Sequence, residues 1–484
     1  MARHAPVFER LSLGLLLTLI LWAPFPLGSN RAWAWGLLEA GLFVSGVFWI
    51  LGWMRGEFRT PEVLARAWPG FAVLGVWLIY LTIYWAPLPP AIVGLVSPEA
   101  RKLYSLVEGY GASVAYLSVD PNASFVFWLK SCAYAVTFFL VIALCRDRGR
   151  LRMVAYTLVL SGLIQAVYGG LMHLAGENFV VFGATVTHAS QASGGFVNRN
   201  HLAGFLEISL AVGIGLMIAD LEDAGQRTWR RFVRDLASVV LSRKAPLRIF
   251  LIVMVVGLVM TRSRMGNTAF FASLLVAGAI GLVLSRHATR STVVLLASLI
   301  VMDIFIVGAW FGVEKTVQRI EETTKRDVEE RVDPSGQALA IFRDFPAVGS
   351  GAGTFYTAFS RYRSEDILPF FDFVHNDYVQ FLTDTGALGI CIIGLFALMP
   401  LGAAILAQAR RRDPLARGMG FAVVMGVVAL GIHSTVDFNL QIPANAFAFM
   451  ILLAFGWLSL FLGRSSGRRP AGSGEFPKTE NGLA

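Results

Sequence analysis

Hydrophobic runs of about 20 residues, the length that crosses roughly 30 Å of hydrocarbon as a helix, recur along the whole chain between short polar connections. They fall at about 10–27, 33–53, 67–86, 123–145, 151–173, 200–220, 247–262, 266–284, 291–312, 386–408, 418–435 and 444–463. A backbone in hydrocarbon has no water to satisfy its amides, so each run must close its own hydrogen bonds as a helix. The expected fold is all-α, a polytopic membrane bundle of about twelve transmembrane helices over residues 1–464. Two polar stretches interrupt the rhythm, at about 87–122 and 313–384, and the second is the longest hydrophilic segment.

Composition agrees with this pattern. The 484 residues are 56% hydrophobic and only 15% charged, with a mean hydropathy of +0.62, which excludes an ordinary soluble domain. The net charge of +9 is spread over many short loops rather than one face, so it reads as topology and not as nucleic-acid binding. Basic residues mark alternate connections: Arg146, Arg148, Arg150 and Arg152; the stretch from Arg227 to Arg248; Arg286 and Arg290; Arg410, Arg411, Arg412 and Arg417; and Arg464, Arg468 and Arg469. The positive-inside rule then puts both termini in the cytoplasm. The first run has no small-residue cleavage site and reads as a span rather than a removed signal. Cys132, Cys145 and Cys391 have no paired spacing. Residues 465–484 are polar, rich in Gly, Ser and Pro, and read as a disordered cytoplasmic tail.

Within the long polar stretch, Glu314 to Arg331 reads as a solvated charged helix. Gln337–Phe342 is an apolar helical segment suited to a membrane surface, and Gly349-Ser350-Gly351-Ala352-Gly353 forms a tight turn whose glycines would let a backbone approach a ligand. That turn lacks the Gly-Lys-Ser/Thr ending of a P-loop.

With this topology His173, His188, His201, His375 and His433 lie at or near the external surface. His375 stands out through its neighbours: Asn376 and Gln380 share a helical face, and Asp377 and Tyr378 add hydrogen-bonding groups. External arginines run against the charge bias, so each needs a reason. Arg262 and Arg264 sit in the hinge between two spans, and Arg199 lies in Asn198-Arg199-Asn200-His201 at another span mouth, while Arg31 is a weaker case. A guanidinium presents a fork of donors that fits diphosphate oxygens, and a carboxylate such as Asp303 would be the plainer partner for the hinge pair. One histidine, several arginines and no metal-ligand cluster suit group transfer from a lipid diphosphate. The arginines stabilise the departing diphosphate, and a neutral imidazole takes the proton of an attacking hydroxyl. No cofactor or metal is called for.

Gly195-Phe196-Val197-Asn198-Arg199-Asn200-His201, Thr261-Arg262-Ser263-Arg264, the Gly349–Phe355 stretch and His375-Asn376-Asp377-Tyr378 occur in this order, preceded by Ala23-Pro24-Phe25-Pro26-Leu27-Gly28-Ser29-Asn30-Arg31. Together they resemble the O-antigen ligase and polymerase superfamily, across nearly all spans. The resemblance implies a metal-independent integral membrane glycosyltransferase of the GT-C type in the bacterial inner membrane. It would use an undecaprenyl-diphosphate-linked glycan on the periplasmic side. The implied acceptor is lipid A core in the ligase branch, another lipid-linked repeat in the polymerase branch, and a protein hydroxyl in a third. It also implies catalytic roles for His375 and for Arg262 or Arg264, and substrate contacts for Arg199, Asn198, Asn200, His201, Asn376, Tyr378, Arg31 and Asp437. Ligation to lipid A core is the favoured reaction. The rival from another class is a transporter or flippase. Against it stand the lack of a repeat relating the halves, mid-span ionisable candidates limited to Glu39 and Asp303, and polar clusters gathered on one face.

Overall fold

The computed structural model describes residues 6–106, 114–175, 180–181, 184–185, 192–222, 245–284, 335–364 and 371–463. Along it run helices α1 (Val7–Trp22), α2 (Ala32–Met54), α3 (Glu62–Arg66), α4 (Trp68–Trp85), α5 (Pro90–Val96), α6 (Pro98–Ser105), α7 (Pro121–Leu144), α8 (Arg148–Ala175), α9 (Arg199–Glu222), α10 (Ala245–Met260) and α11 (Arg264–Leu284). They continue with α12 (335–344), α13 (Phe355–Phe359), α14 (Asp377–Arg410), α15 (Pro414–His433) and α16 (Pro443–Phe461). Nine of these are long and apolar enough to cross a membrane among the described residues. With the 16-residue α1 and α10 they match eleven of the twelve expected positions. The ninth expected span (291–312), the charged segment Glu314–Arg331, Asp303, His188 and the C-terminal tail lie outside the described residues. A two-residue hairpin, Val180–Val181 with Ala184–Thr185, is the one strand pairing described apart from an isolated Leu88–Ala115 bridge.

Starts of helices follow the local sequence. Asp120 and Asp413 each precede a proline, and each carboxylate accepts from backbone amides of the first turn, Ala123 N at 3.0 Å and Leu415 N at 3.0 Å. Proline at the first helical position loses no needed donor, so the pair both starts and caps the helix.

The apolar stretch of α9 is wholly buried, and those of α15 and α16 mostly so, whereas α2, α4 and α14 show broad apolar faces outward. Gly215 and Gly418 face each other, each so close to the other's carbonyl that an added Cβ would stand 2.4 and 2.2 Å from it. That contact brings the backbones of α9 and α15 together at the centre of the bundle.

At the end where α7, α9, α14 and α16 terminate, the basic loops are tied into the fold. Fully buried Glu9 accepts from Arg146 and Arg150, both at 2.5 Å, Arg148 pairs with Asp413, and Arg411 donates to the carbonyls of Leu460 and Leu462 at the end of α16. The opposite end gathers the loops 23–31, 192–198, 261–263, 345–354 and 434–442.

Two expectations change. The span expected at 386–408 begins nine residues earlier, because Asn376 caps α14 and the helix passes through a left-handed Gly386 (φ 64°, ψ −173°). The glycine-rich turn packs against that kink. Cβ atoms at Gly349 and Gly386 would lie 2.4 Å from the backbone of Asp384 and of Ala347, and Gly351 is pressed against Ser118. Ser350 and Gly351 donate to the carbonyls of Thr383 and Asp384, while the buried Asp384 carboxylate accepts from Gly353 N. Tyr80 and Tyr84 add hydroxyls to the carbonyls of Thr385 and Val348.

Gly386→Ala therefore should lower the thermal midpoint of the purified protein by the equivalent of at least about 1–3 kcal/mol, the cost of forcing a side chain into a left-handed conformation. Gly394→Ala, on the same helix with nothing within 4 Å of the added carbon, should leave the midpoint unchanged or raise it slightly. Equal effects of the two would refute the clamp.

Candidate active site

Asp437 sits at the centre of the polar end, fully buried in the 434–442 loop between α15 and α16. Its Oδ1 lies 3.5 Å from His201 Nε2 and 3.9 Å from His375 Nδ1, and it accepts from its own chain at Phe438 N. Its Oδ2 accepts from Asn200 Nδ2 at 2.5 Å. Burial alone would raise this carboxyl, but the facing His201, with His433 and His375 nearby, holds it well below the usual carboxylate range. Phe438 stands between the two imidazoles, with ring centroids 4.7 Å from His201 and 4.9 Å from His375, and Phe373 stacks on its other side at 5.0 Å. One imidazole is buried, whereas the His375 side chain keeps about a quarter of its surface open.

A second carboxylate shapes the loop that carries the first. Buried Asp377, opening α14, accepts from Ser434 Oγ (2.8 Å) and Leu440 N (3.1 Å), and its own amide donates to the carbonyls of Ser434 and Asp437. Asn445 of α16 donates to the carbonyl of His201 and to Asn439 Oδ1, and Gly204 leaves the room Asn439 needs. Below this layer His433 Nδ1 meets Glu207 at 2.7 Å, with both side chains fully buried.

Most of the residues expected from sequence are brought into this end, in differing capacities. His375, His201, Asn200 and Asp437 touch one another directly or through one atom. Asn376 is the cap of α14, accepting from Tyr378 N and Val379 N while donating to Thr435 O. Tyr378 donates its hydroxyl to Gly431 O, and Asn198 Oδ1 accepts from Asn200 N to open α9. These three fasten the site's elements together. Arg199 is half-buried at the first turn of α9, and Arg31 is exposed before α2. The Arg31 loop reaches the site end through Gly28 N, which donates to Gly195 O.

Arg262 and Arg264 occupy the turn between α10 and α11. Arg262 adopts φ 54°, a left-handed backbone that a long side chain rarely takes. Thr261 Oγ1 accepts from Ser263 N, and Ser263 Oγ accepts from Gly266 N, so the turn is locked from both sides. Gly266 packs on Ala203, two residues from His201, which sets the turn beside the start of α9. The Arg262 guanidinium is half-buried and makes no ion pair among the described residues, while Arg264 is exposed at the helix start.

Two ionisable residues inside spans escaped the sequence reading: Glu207, partner of His433, and Lys130, whose ammonium stands 3.7 Å from the centroid of the Trp35 ring. An acid or base in an apolar run is itself the signal that was available. The expectation that only Glu39 and Asp303 are ionisable within spans is corrected accordingly.

Beside Phe373 and Gln441, both next to the cluster, opens a cavity of about 330 Å³ between α4, α7, α14 and α16. Phe127, Phe381, Phe449 and Leu453 make its walls largely apolar, and Lys130 also lines it.

A many-spanned helical membrane protein with an imidazole–carboxylate cluster and a strained arginine turn at one end of its bundle is the class these features define. Residues 249–394, from α10 through the Arg262 turn and His375 into α14, match the family model described as O-antigen ligase. The match supports the O-antigen ligase and polymerase superfamily for this chain and, with it, ligase- or polymerase-type activity of a multi-pass membrane protein in polysaccharide biosynthesis. No curated protein matches the chain.

The locked turn makes one expectation specific to Arg262. Arg262→Gly removes the left-handed strain and should raise the thermal midpoint by the equivalent of up to about 1 kcal/mol, whereas Arg262→Ala, which keeps the strain, should not. Identical midpoints for the two variants would mean that the turn carries no strain.

Proposed function

We propose that the protein transfers a glycan from undecaprenyl diphosphate to an acceptor hydroxyl at the periplasmic face of the bacterial inner membrane, with lipid A core as the acceptor. The observation that carries this reading is the adjacency of an apolar cavity, suited to part of an isoprenoid chain, to an imidazole backed by a buried carboxylate. The basic ends opposite the site support a periplasmic location under the positive-inside rule.

In this mechanism His375, with Nδ1 toward Asp437, presents Nε2 to the acceptor hydroxyl and takes its proton. The acceptor oxygen attacks the anomeric carbon from the face opposite the diphosphate. The bond from that carbon to the phosphate oxygen breaks, and undecaprenyl diphosphate leaves with the anomeric configuration inverted. Arg262, Arg264 and Arg199 hold the diphosphate and offset the charge that develops on it. Asp437 keeps its charge and orients the imidazole; it is a positioning residue. His201, Asn200 and Asn376 hold the surrounding shell, and Arg31 borders it. The same chemistry serves a polymerase or a protein glycosyltransferase with a different acceptor. A transporter reading places its site at the bilayer midplane, while the larger cluster here lies among loops at one end.

The test is reconstitution of the purified protein with undecaprenyl-diphosphate-linked oligosaccharide, with and without lipid A core, and separation of the products by size. A single transfer that requires lipid A core is expected. A ladder formed without added acceptor would make the protein a polymerase, and no product in either tube would redirect attention to protein acceptors or transport. His375→Ala should abolish transfer while donor binding persists, and Asp437→Asn should slow turnover on the order of 10²–10⁴-fold. A retained anomeric configuration would exclude single displacement.

A further inference from the structure

A second cavity, about 290 Å³, lies at the same end of the bundle but outside every spanning helix. Tyr104 of α6, Val119 before α7, Phe345 after α12, and Thr357, Arg361 and Tyr362 in and after α13 line it. Both phenol rings are fixed through their hydroxyls: Tyr104 donates to Ser118 O at 2.7 Å and Tyr362 to Asp344 Oδ2 at 2.6 Å. Their faces are therefore pre-set walls, with little rotamer freedom left to lose on binding. The polar groups at the rim carry both signs of charge. Arg361 pairs with Glu99 at 2.7 Å, Lys102 lies 3.7 Å from the same carboxylate, and Thr357 Oγ1 donates to Asp120 at 3.3 Å.

These features select the ligand class. A phosphate would want uncommitted cations, but the guanidinium here is already paired and three carboxylates, Glu99, Asp120 and Asp344, surround the space. A purely apolar chain would leave the rim's donors and acceptors poorly matched. A neutral sugar ring presents an apolar C–H face to an aromatic wall and hydroxyls at its edge to a guanidinium–carboxylate rim.

The position selects the part of the glycan. Helix α13 is a single turn with the cavity against Thr357 and Ala358; Phe359 meets Phe371 at 6.4 Å, and Phe371 meets His375 at 6.2 Å. The cavity is thus separated from His375 by this short helix and one further aromatic ring. We propose that the Tyr104–Tyr362 cavity is a carbohydrate subsite that holds a neutral sugar of a substrate glycan some residues away from the bond being made. The assignment of that glycan as a substrate rests on the transferase reading above, although the subsite itself does not.

The test uses the full-length protein in lipid nanodiscs. Titrations would follow oligosaccharide released by mild acid from the lipid-linked donor, delipidated core oligosaccharide, and inorganic pyrophosphate as the anionic control. Thr357→Trp, at an exposed position, fills the cavity, and Tyr104→Leu removes one wall while keeping bulk. Both variants should weaken one of the two oligosaccharides by about tenfold or more, and which one identifies donor or acceptor as the source. In the reconstituted reaction KM for that glycan should rise by a similar factor with kcat unchanged. Unaltered oligosaccharide affinity in both variants, or displacement of the oligosaccharide by pyrophosphate, would overturn the subsite. Binding that responds to the variants in a wild-type protein that transfers nothing would leave the subsite standing and defeat the transferase reading. Transfer with no measurable effect of either variant would do the reverse.

Discussion

Everything at the polar end depends on keeping one carboxylate, Asp437, ionised where water does not reach it. A buried charge is costly unless it is paired and hydrogen-bonded on most sides. Here the compensation comes from widely separated parts of the sequence: Asn200 and His201 at the start of α9, His375 before α14, and the amide of Phe438. Removing any of them leaves the charge less supported, so the requirement fixes where α9, α14 and the 434–442 loop stand relative to one another. The caps at Asn198 and Asn376 and the clamp at Asp377 follow from the same demand, because they set the height at which each helix begins.

The bundle was legible because hydrocarbon imposes a simple rule. Apolar length alone located eleven spans. The rule fails where a helix passes from lipid into protein. Asp377, Gln380, Thr383 and Asp384 are too polar to read as a span, yet they form the first turns of α14 because the glycine-rich turn and the 434–442 loop satisfy them there. The glycines were visible as a signal of close approach, and the approaching groups include the backbone of α14 at Gly349 and Ser118 at Gly351.

The candidate site was legible in part for a related reason. His375, Asn200 and His201 lie at span mouths and beside other polar residues, which marks them locally. Asp437 is marked the same way within His433-Ser434-Thr435-Val436-Asp437. Glu207 and Lys130 are isolated in apolar runs, and their neighbours, His433 and Trp35, come from distant sequence. Asn376 and Tyr378 read as ligand-facing groups in the sequence; their bonds to Thr435 and Gly431 use the same chemistry and come from a segment that local sequence does not reveal.

Strain and compensation are distributed unevenly between the two kinds of loop. The left-handed residues at Gly349, Gly353 and Gly386 are glycines, so the docking of the glycine-rich turn onto α14 costs little conformational energy. Arg262 also has a positive φ, with a long side chain, although glycine would fold there more easily. The surrounding hydroxyls of Thr261 and Ser263 hold the turn in place, so the arginine is retained against the local preference of its backbone. Such an outlier is best explained by what the guanidinium does. Its place at the end of α10, beside the start of α9 and without an ion pair among the described residues, is where the proposed mechanism needs a cation for a departing diphosphate. The same argument explains why the basic loops at the other end carry no comparable strain: Arg146, Arg150 and Arg411 are bound to Glu9 and to helix carbonyls, and their backbones stay in ordinary regions.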